Sequence, residues 1–181
     1  MAILYFVDEL KLTRQMPVVN WTLQLMPLVA VLGSIGAGLL SDKIFRGHRS
    51  PVAMSLYFLE TVAILLAVLL IEGVGLRGVF LSCFFLVMIS LTANSTHSIV
   101  GAAAPMDIGG PRMAGFAAGV IDSFQYFGAG VAIPIMGELL HRFGWKSWFP
   151  AMAGFGFIGG CAMLLVMRKQ RQMKADGREV I

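Results

Sequence analysis

Long apolar runs alternate with short polar segments along the whole chain. Five runs, over residues 18–41, 51–71, 78–104, 113–137 and 147–167, reach the ~20 residues a helix needs to cross ~30 Å of hydrocarbon. Each predicts a transmembrane helix, so the pattern predicts an all-α integral membrane protein with a five-helix transmembrane region. The opening residues 1–10, MAILYFVDEL, are an apolar stub too short to span, and residues 11–17 form a polar loop. Residues 168–181 form a charged tail. Ser50 and Pro51 are a cap and a first helical residue for the second run. The Gly/Pro-rich residues 105–112 predict a loop before the fourth run, and residues 141–146 another before the fifth. Pro27 predicts a kink in the first run. Small residues four apart (Ala30, Ser34 and Gly38; Gly115 and Gly119; Gly156 and Gly160) predict faces that a second helix approaches closely.

Composition agrees with a membrane solvent. The chain is 57% hydrophobic and 13% charged, with a mean hydropathy of +0.80, whereas soluble domains carry about 25% charged residues. Its net charge of +4 is explained by position, not by nucleic-acid binding. All 14 Lys and Arg fall in loops and tail. One side carries nine of them, Lys43, Arg46, Arg49, Arg112, Arg168, Lys169, Arg171, Lys174 and Arg178, and the other side five. The richer side is expected to be cytoplasmic, which puts the C-terminus in the cytoplasm and the chain, as a multi-pass protein, in the inner (plasma) membrane. The expected partner is therefore the lipid bilayer, and no nucleic acid. Cys83 and Cys161 sit in separate apolar runs and define neither a disulfide framework nor a metal spacing. Asp8 and Glu9 interrupt the apolar start, which does not read as a signal peptide. No nucleotide-binding loop, zinc spacing or nucleophile–base pair occurs. The chain is read as no enzyme, with no cofactor and no metal.

The first span ends in GSIGAGLLSDKIFRGHR, residues 33–49. A small-residue run stops at Asp42, and Lys43, Arg46, Gly47, His48 and Arg49 make a tight cationic turn. This stretch resembles the loop between paired helices of the major facilitator superfamily of secondary transporters. Its Lys-x-x-Arg-Gly-x-Arg ending is similar to the organophosphate/phosphate antiporter branch, which carries glycerol-phosphate and sugar-phosphate. Gly115-Phe116-Ala117-Ala118-Gly119 resembles the start of that branch's eleventh helix, and Phe143-Gly144-Trp145 its last loop. The resemblance implies the C-terminal portion, helices eight to twelve, with residues 1–10 ending helix seven. It also implies a secondary active transporter for phosphorylated small molecules, working by alternating access. A small anionic substrate is a partner if the missing N-terminal half completes the chain. In that branch an arginine pair on helices one and seven grips phosphate, and this chain has no Arg or Lys inside a span. Two alternatives stay open: a membrane sensor of sugar-phosphate related to such transporters, and a non-transporting truncated subunit.

Polar residues inside the spans are the candidate substrate-binding groups. His97 with Ser90, Asn94 and Ser98 falls on one face of the third helix, which in the family borders the central cavity. Asp122, Gln125 and Tyr126 form a second face, on the family's eleventh helix. Both sets have two readings, contact with a substrate or hydrogen bonds between helices, the latter worth about 0.6–2 kcal/mol each. Glu60 is read as bonded to a neighbouring helix. The resemblance implies that Asp42, Lys43, Arg46, Gly47 and Arg49 act as a conformational latch, with the partner of Asp42 in the missing half. Arg46 and Arg49 also read as topology determinants at the lipid headgroups.

Overall fold

A computed structural model describes residues 2–13, 15–71 and 75–175. The described residues are all-α, and among them five helices are long and apolar enough to cross a membrane. A short helix α1 comprises Ala2–Leu4 and a π-helical continuation, Tyr5–Glu9. The long helices are α2 (Pro17–Lys43), α3 (Arg49–Leu70), α4 (Leu76–Ser98), α5 (Ala104–Phe143) and α6 (Trp145–Ala175). A π-helical segment, Ile99–Ala103, joins α4 to α5 without a loop.

The helix boundaries depart from the hydrophobic pattern where backbone geometry, not hydropathy, decides. The turn expected over residues 105–112 is helical except at Gly110, whose φ of 57° and ψ of −171° suit glycine alone. That single residue separates the apolar segments Leu76–Asp107 and Arg112–Phe143. Gly144, at φ 71°, makes the equivalent break between α5 and α6, so the loop expected over 141–146 shrinks to one residue. Helix α6 continues past the apolar run to Ala175, because the Lys, Arg and Gln that follow are good helix formers in water. Helix α2 runs on through Pro27.

The bundle is held by two closely packed pairs, α3 with α6 and α2 with α4, and α3 against α4 joins them. Glycines set the first contact. A Cβ on Gly156 would lie 2.8 Å from Thr61 Oγ1, one on Gly159 2.7 Å from the Tyr57 ring, and one on Gly160 2.9 Å from the Phe58 ring. Between α2 and α4 the close approach is at Gly33, where a Cβ would fall 2.6 Å from Ser95 Oγ. A Cβ on Gly38, Gly115 or Gly119 would meet nothing within 4 Å among the described residues. The expectation of a close neighbour is therefore corrected at those three glycines, whereas the rest of the α2 face is packed: Ala30 is buried and Ser34 Oγ donates to the Asn94 carbonyl of α4.

Apolar side chains cluster at three levels. At the α1 end, Tyr5, Phe6, Val19, Val79, Trp145 and Trp148 pack together. Tyr5 Oη lies 3.3 Å from Ser82 Oγ, and the Tyr5 ring meets Trp145 and Phe149 edge-on. Ile64, Ile89 and Ala153 fill the middle, and Ala37, Val52, Ala53 and Ile99 the other end. Large apolar side chains are also exposed, Leu32, Leu69 and Phe124 among them. Hydrocarbon is a good solvent for them, which aqueous burial rules would not predict. No buried side-chain polar atom among the described residues lacks a hydrogen bond. Thr61, Thr92, Ser95 and Thr96 satisfy this by donating to carbonyls one turn back on their own helices.

Candidate functional site

The polar groups gather at two levels, one within the spans and one at the α2–α3 turn. Within the spans, the face predicted on α4 divides its labour. Ser90 Oγ donates to the Met26 carbonyl of α2 at 3.2 Å, so it ties helices together. Asn94 Nδ2 donates back to the Ser90 carbonyl at 2.7 Å, and the Asn94 carbonyl accepts from Ser34 Oγ at 3.4 Å. The Asn94 side chain remains exposed, as does His97. Immediately after Ser98 the backbone widens into its π turn, which displaces one residue from the helical register.

Gly101 sits in that turn and brings two candidate residues together. A Cβ there would lie 3.5 Å from His97 Cε1 and 3.4 Å from Gln125 Nε2. The imidazole of α4 and the amide of α5 thus flank the same glycine, within about 7 Å of each other by the sum of those contacts. Asp122 is half-buried one turn before Gln125 and makes no hydrogen bond or ion pair among the described residues. Tyr126 is not drawn into the cluster: it is 79% exposed, beside Phe124 and Phe127. His97, Gln125 and Asn94 can donate to an oxygen-rich ligand, and Asp122 can only accept when ionised. Glu60 is half-buried on α3, and no hydrogen bond to a neighbouring helix is found for it among the described residues.

At the α2–α3 turn, Arg46 (φ 52°) and Gly47 (φ 82°) are both left-handed, which reverses the chain between two long helices. For Arg46 that conformation costs about 1–2 kcal/mol. The Gly47 amide donates to the Ser41 carbonyl at 2.9 Å, and His48 Nδ1 lies 2.9 Å from the Phe45 carbonyl. Arg49 then bridges two acids. Its Nη1 donates to Asp42 Oδ1 at 2.7 Å and its Nε to Asp107 Oδ2 at 2.9 Å. Lys43 and Arg46 are exposed and form no ion pair among the described residues.

All three bridged charges oppose their local helix dipoles. Asp42 lies in the last turn of α2, and Asp107 closes the helical stretch before the Gly110 break, both at ends that carry partial negative charge. Arg49 is the first residue of α3, at a positive end. Only together do they neutralise one another. The resemblance places a partner for Asp42 in the other half of a transporter; within this chain Asp42 pairs with Arg49. Asp107 falls in the segment 105–112 that the sequence predicts to be a loop. Nothing local to Pro105–Asp107 signals its pairing with a residue 58 positions earlier.

The sequence has relatives. Residues 1–180 match the Major Facilitator Superfamily. The chain is 29% identical, over 140 residues, to a Chlamydia muridarum protein named probable hexose phosphate transport protein, covering 77% of this chain and 30% of that one. It is 25% identical over 156 residues to the Escherichia coli membrane sensor protein UhpC, covering 86% of this chain and 34% of the relative. To the Haemophilus influenzae glycerol-3-phosphate transporter it is 26% identical over 167 residues, covering 86% and 35%. The chain thus spans about a third of the length of these curated relatives. No solved structure matches it.

Proposed function

The chain belongs to the major facilitator superfamily, and on that premise we propose that it forms the C-terminal part of a secondary transporter for a phosphorylated small molecule. The observation that carries the proposal is the agreement of relatives from separate organisms, named for hexose phosphate or glycerol-3-phosphate, with a midspan cluster rich in donors. His97, Gln125 and Asn94 supply donors to hydroxyl or phosphate oxygens. Asp122 stands one turn away as an acid that must be paired, protonated or wetted, since an ionised carboxylate in hydrocarbon costs about 2.5–3.5 kcal/mol or more. Exchange against phosphate, with two halves rocking about a midplane site, is the cycle assigned to the whole protein. In it Asp42, Arg49 and Asp107 steady one state from the cytoplasmic face, and the C-terminus lies in the cytoplasm.

A chimera tests this reading. The chain replaces its matching third of the Haemophilus influenzae transporter, and uptake of labelled glycerol-3-phosphate and hexose phosphate into proteoliposomes is measured. Uptake that falls at least tenfold in the His97→Leu/Gln125→Leu double variant supports the proposal. Uptake that is indifferent to both residues refutes the site. A second reading, a sensor, is favoured by the relative so named in Escherichia coli. It predicts saturable binding of sugar-phosphate by the chimera with no flux.

A further inference from the structure

At the α2–α3 turn, helices α3, α5 and α6 and the π segment enclose a cavity of about 530 Å³. That is within the ~300–1,000 Å³ range of small-ligand sites. Its walls divide by chemistry. Arg46, Arg49 and Ser50 line it at the turn, with Gln170 opposite on α6. Farther in, the wall is Ile99, Ile121, Met163 and Val166. Ser50 Oγ donates to Gln170 Oε1 at 2.8 Å and bridges α3 to α6 at the polar end. Arg49 is held by Asp42 and Asp107, and Asp107 also lines the wall. Of the two arginines that line the cavity, Arg46 is thus the one without an ion pair among the described residues. Val166 is 42% exposed, so the apolar part is not sealed from the surroundings of α6.

We propose that this cavity holds one anionic phospholipid, with its phosphate at Arg46 and one acyl chain along Ile99, Ile121, Met163 and Val166. A phosphorylated sugar does not suit it, because the inner wall offers no donors to hydroxyl groups. A free phosphate would use the polar end and leave the apolar wall unexplained. An acyl chain accounts for both the wall and its opening beside Val166. Basic pockets between transmembrane helices at headgroup depth hold anionic lipids for these same reasons. The inference rests on the multi-pass membrane character of the chain and not on the transport reading.

The test uses the full 181-residue chain in mild detergent, with native mass spectrometry of added phosphatidylglycerol, phosphatidylcholine and inorganic phosphate. Phosphatidylglycerol is expected to be retained over phosphatidylcholine. Arg46→Gln should weaken that retention about fivefold, the factor for one cation near an anionic headgroup, and leave phosphatidylcholine unchanged. Ala104→Phe fills the cavity wall and alters no charge, so it should also weaken phosphatidylglycerol. Met163→Trp repeats that arm should Ala104→Phe lose helicity. Displacement of the lipid by inorganic phosphate would overturn the proposal in favour of a free-anion site. Retention that resists both filling variants would overturn it in favour of adsorption to the outer surface.

Discussion

Arg49→Gln should destabilise the bundle, and removing both of its acidic partners as well should restore it. The Arg49 side chain is only 20% exposed, while Asp42 and Asp107 are 59% and 44% exposed. Each pair therefore belongs to the surface class, worth about 0.2–1 kcal/mol, and near the top of it because the guanidinium is mostly enclosed. The substitution removes both pairs, a loss of about 1–2 kcal/mol. It also relieves the cation at the positive end of α3, a gain of about 0.3–1 kcal/mol. The net cost is about 1 kcal/mol, with two carboxylates left facing negative helix ends. Asp107→Asn loses one pair and relieves one unfavourable dipole contact of similar size, so it should be nearly neutral. So should Asp42→Asn. The triple variant Arg49→Gln/Asp42→Asn/Asp107→Asn relieves all three dipole contacts and should return to within a few tenths of a kcal/mol of the parent.

The assay is reversible unfolding of the chain in mixed dodecyl maltoside and dodecyl sulfate micelles, followed by far-ultraviolet circular dichroism. Measurements at low salt and at 1 M salt separate the charge contribution, because the screening length falls to about 3 Å in the latter. The difference between Arg49→Gln and the parent should shrink there. A triple variant no more stable than Arg49→Gln would show that Arg49 acts through packing of its stem. Asp107→Asn as damaging as Arg49→Gln would show that the helix-end argument has the wrong sign.

Three further outcomes are expected. Single cysteines at Gly47 and Gly75 should react with impermeant maleimide from opposite sides of the membrane; labelling from the same side would refute the span assignment. Gly159→Ala, whose Cβ would meet the Tyr57 ring at 2.7 Å, should cost about 1–3 kcal/mol by overpacking, whereas Gly119→Ala, with open space around it, should be neutral or stabilising by up to ~1 kcal/mol. Equal unfolding midpoints for those two variants would contradict the α3–α6 contact. In the transporter chimera, His97→Gln keeps a donor and Gln125→Leu removes one, so substrate affinity should fall severalfold more for Gln125→Leu; the opposite order in equilibrium binding would require the imidazole's charge and not its hydrogen bond.

The five spans were legible because hydrocarbon imposes one crude requirement, about 20 apolar residues, and sequence records it directly. The turn around Asp42 was legible for a related reason: small residues, an acid and spaced arginines are a local signature of a helix end meeting water. What stayed hidden depends on which helix lies beside which. Gly115 and Gly119 carry the same spacing as Gly156 and Gly160, yet only the α6 pair meets a neighbour. Hydropathy is likewise blind to the π turn at Ile99–Ala103, because a register shift changes the direction of side chains without changing their polarity. Gly101, inside that turn, is flanked by His97 and Gln125 from separate helices, while Tyr126, adjacent to Gln125 in sequence, falls on another face of its helix and is exposed.

Asp107 and Asp122 show how far residue type alone can reach. Both are acids at places where an acid is costly, one at a negative helix end and one inside an apolar span; only the second cost is visible from sequence, because residues 105–112 read there as a loop and prove helical up to Gly110. What offsets the cost is not visible. For Asp107 it is Arg49, brought from another helix to 2.9 Å. For Asp122 no partner occurs among the described residues, and the most apolar window of its span has 0% of its residues buried. The same physics that required Arg49 for Asp107 therefore requires a proton, a wet cavity or a polar companion for Asp122. That requirement gives the uncovered face of α5 its weight in the proposed transport cycle.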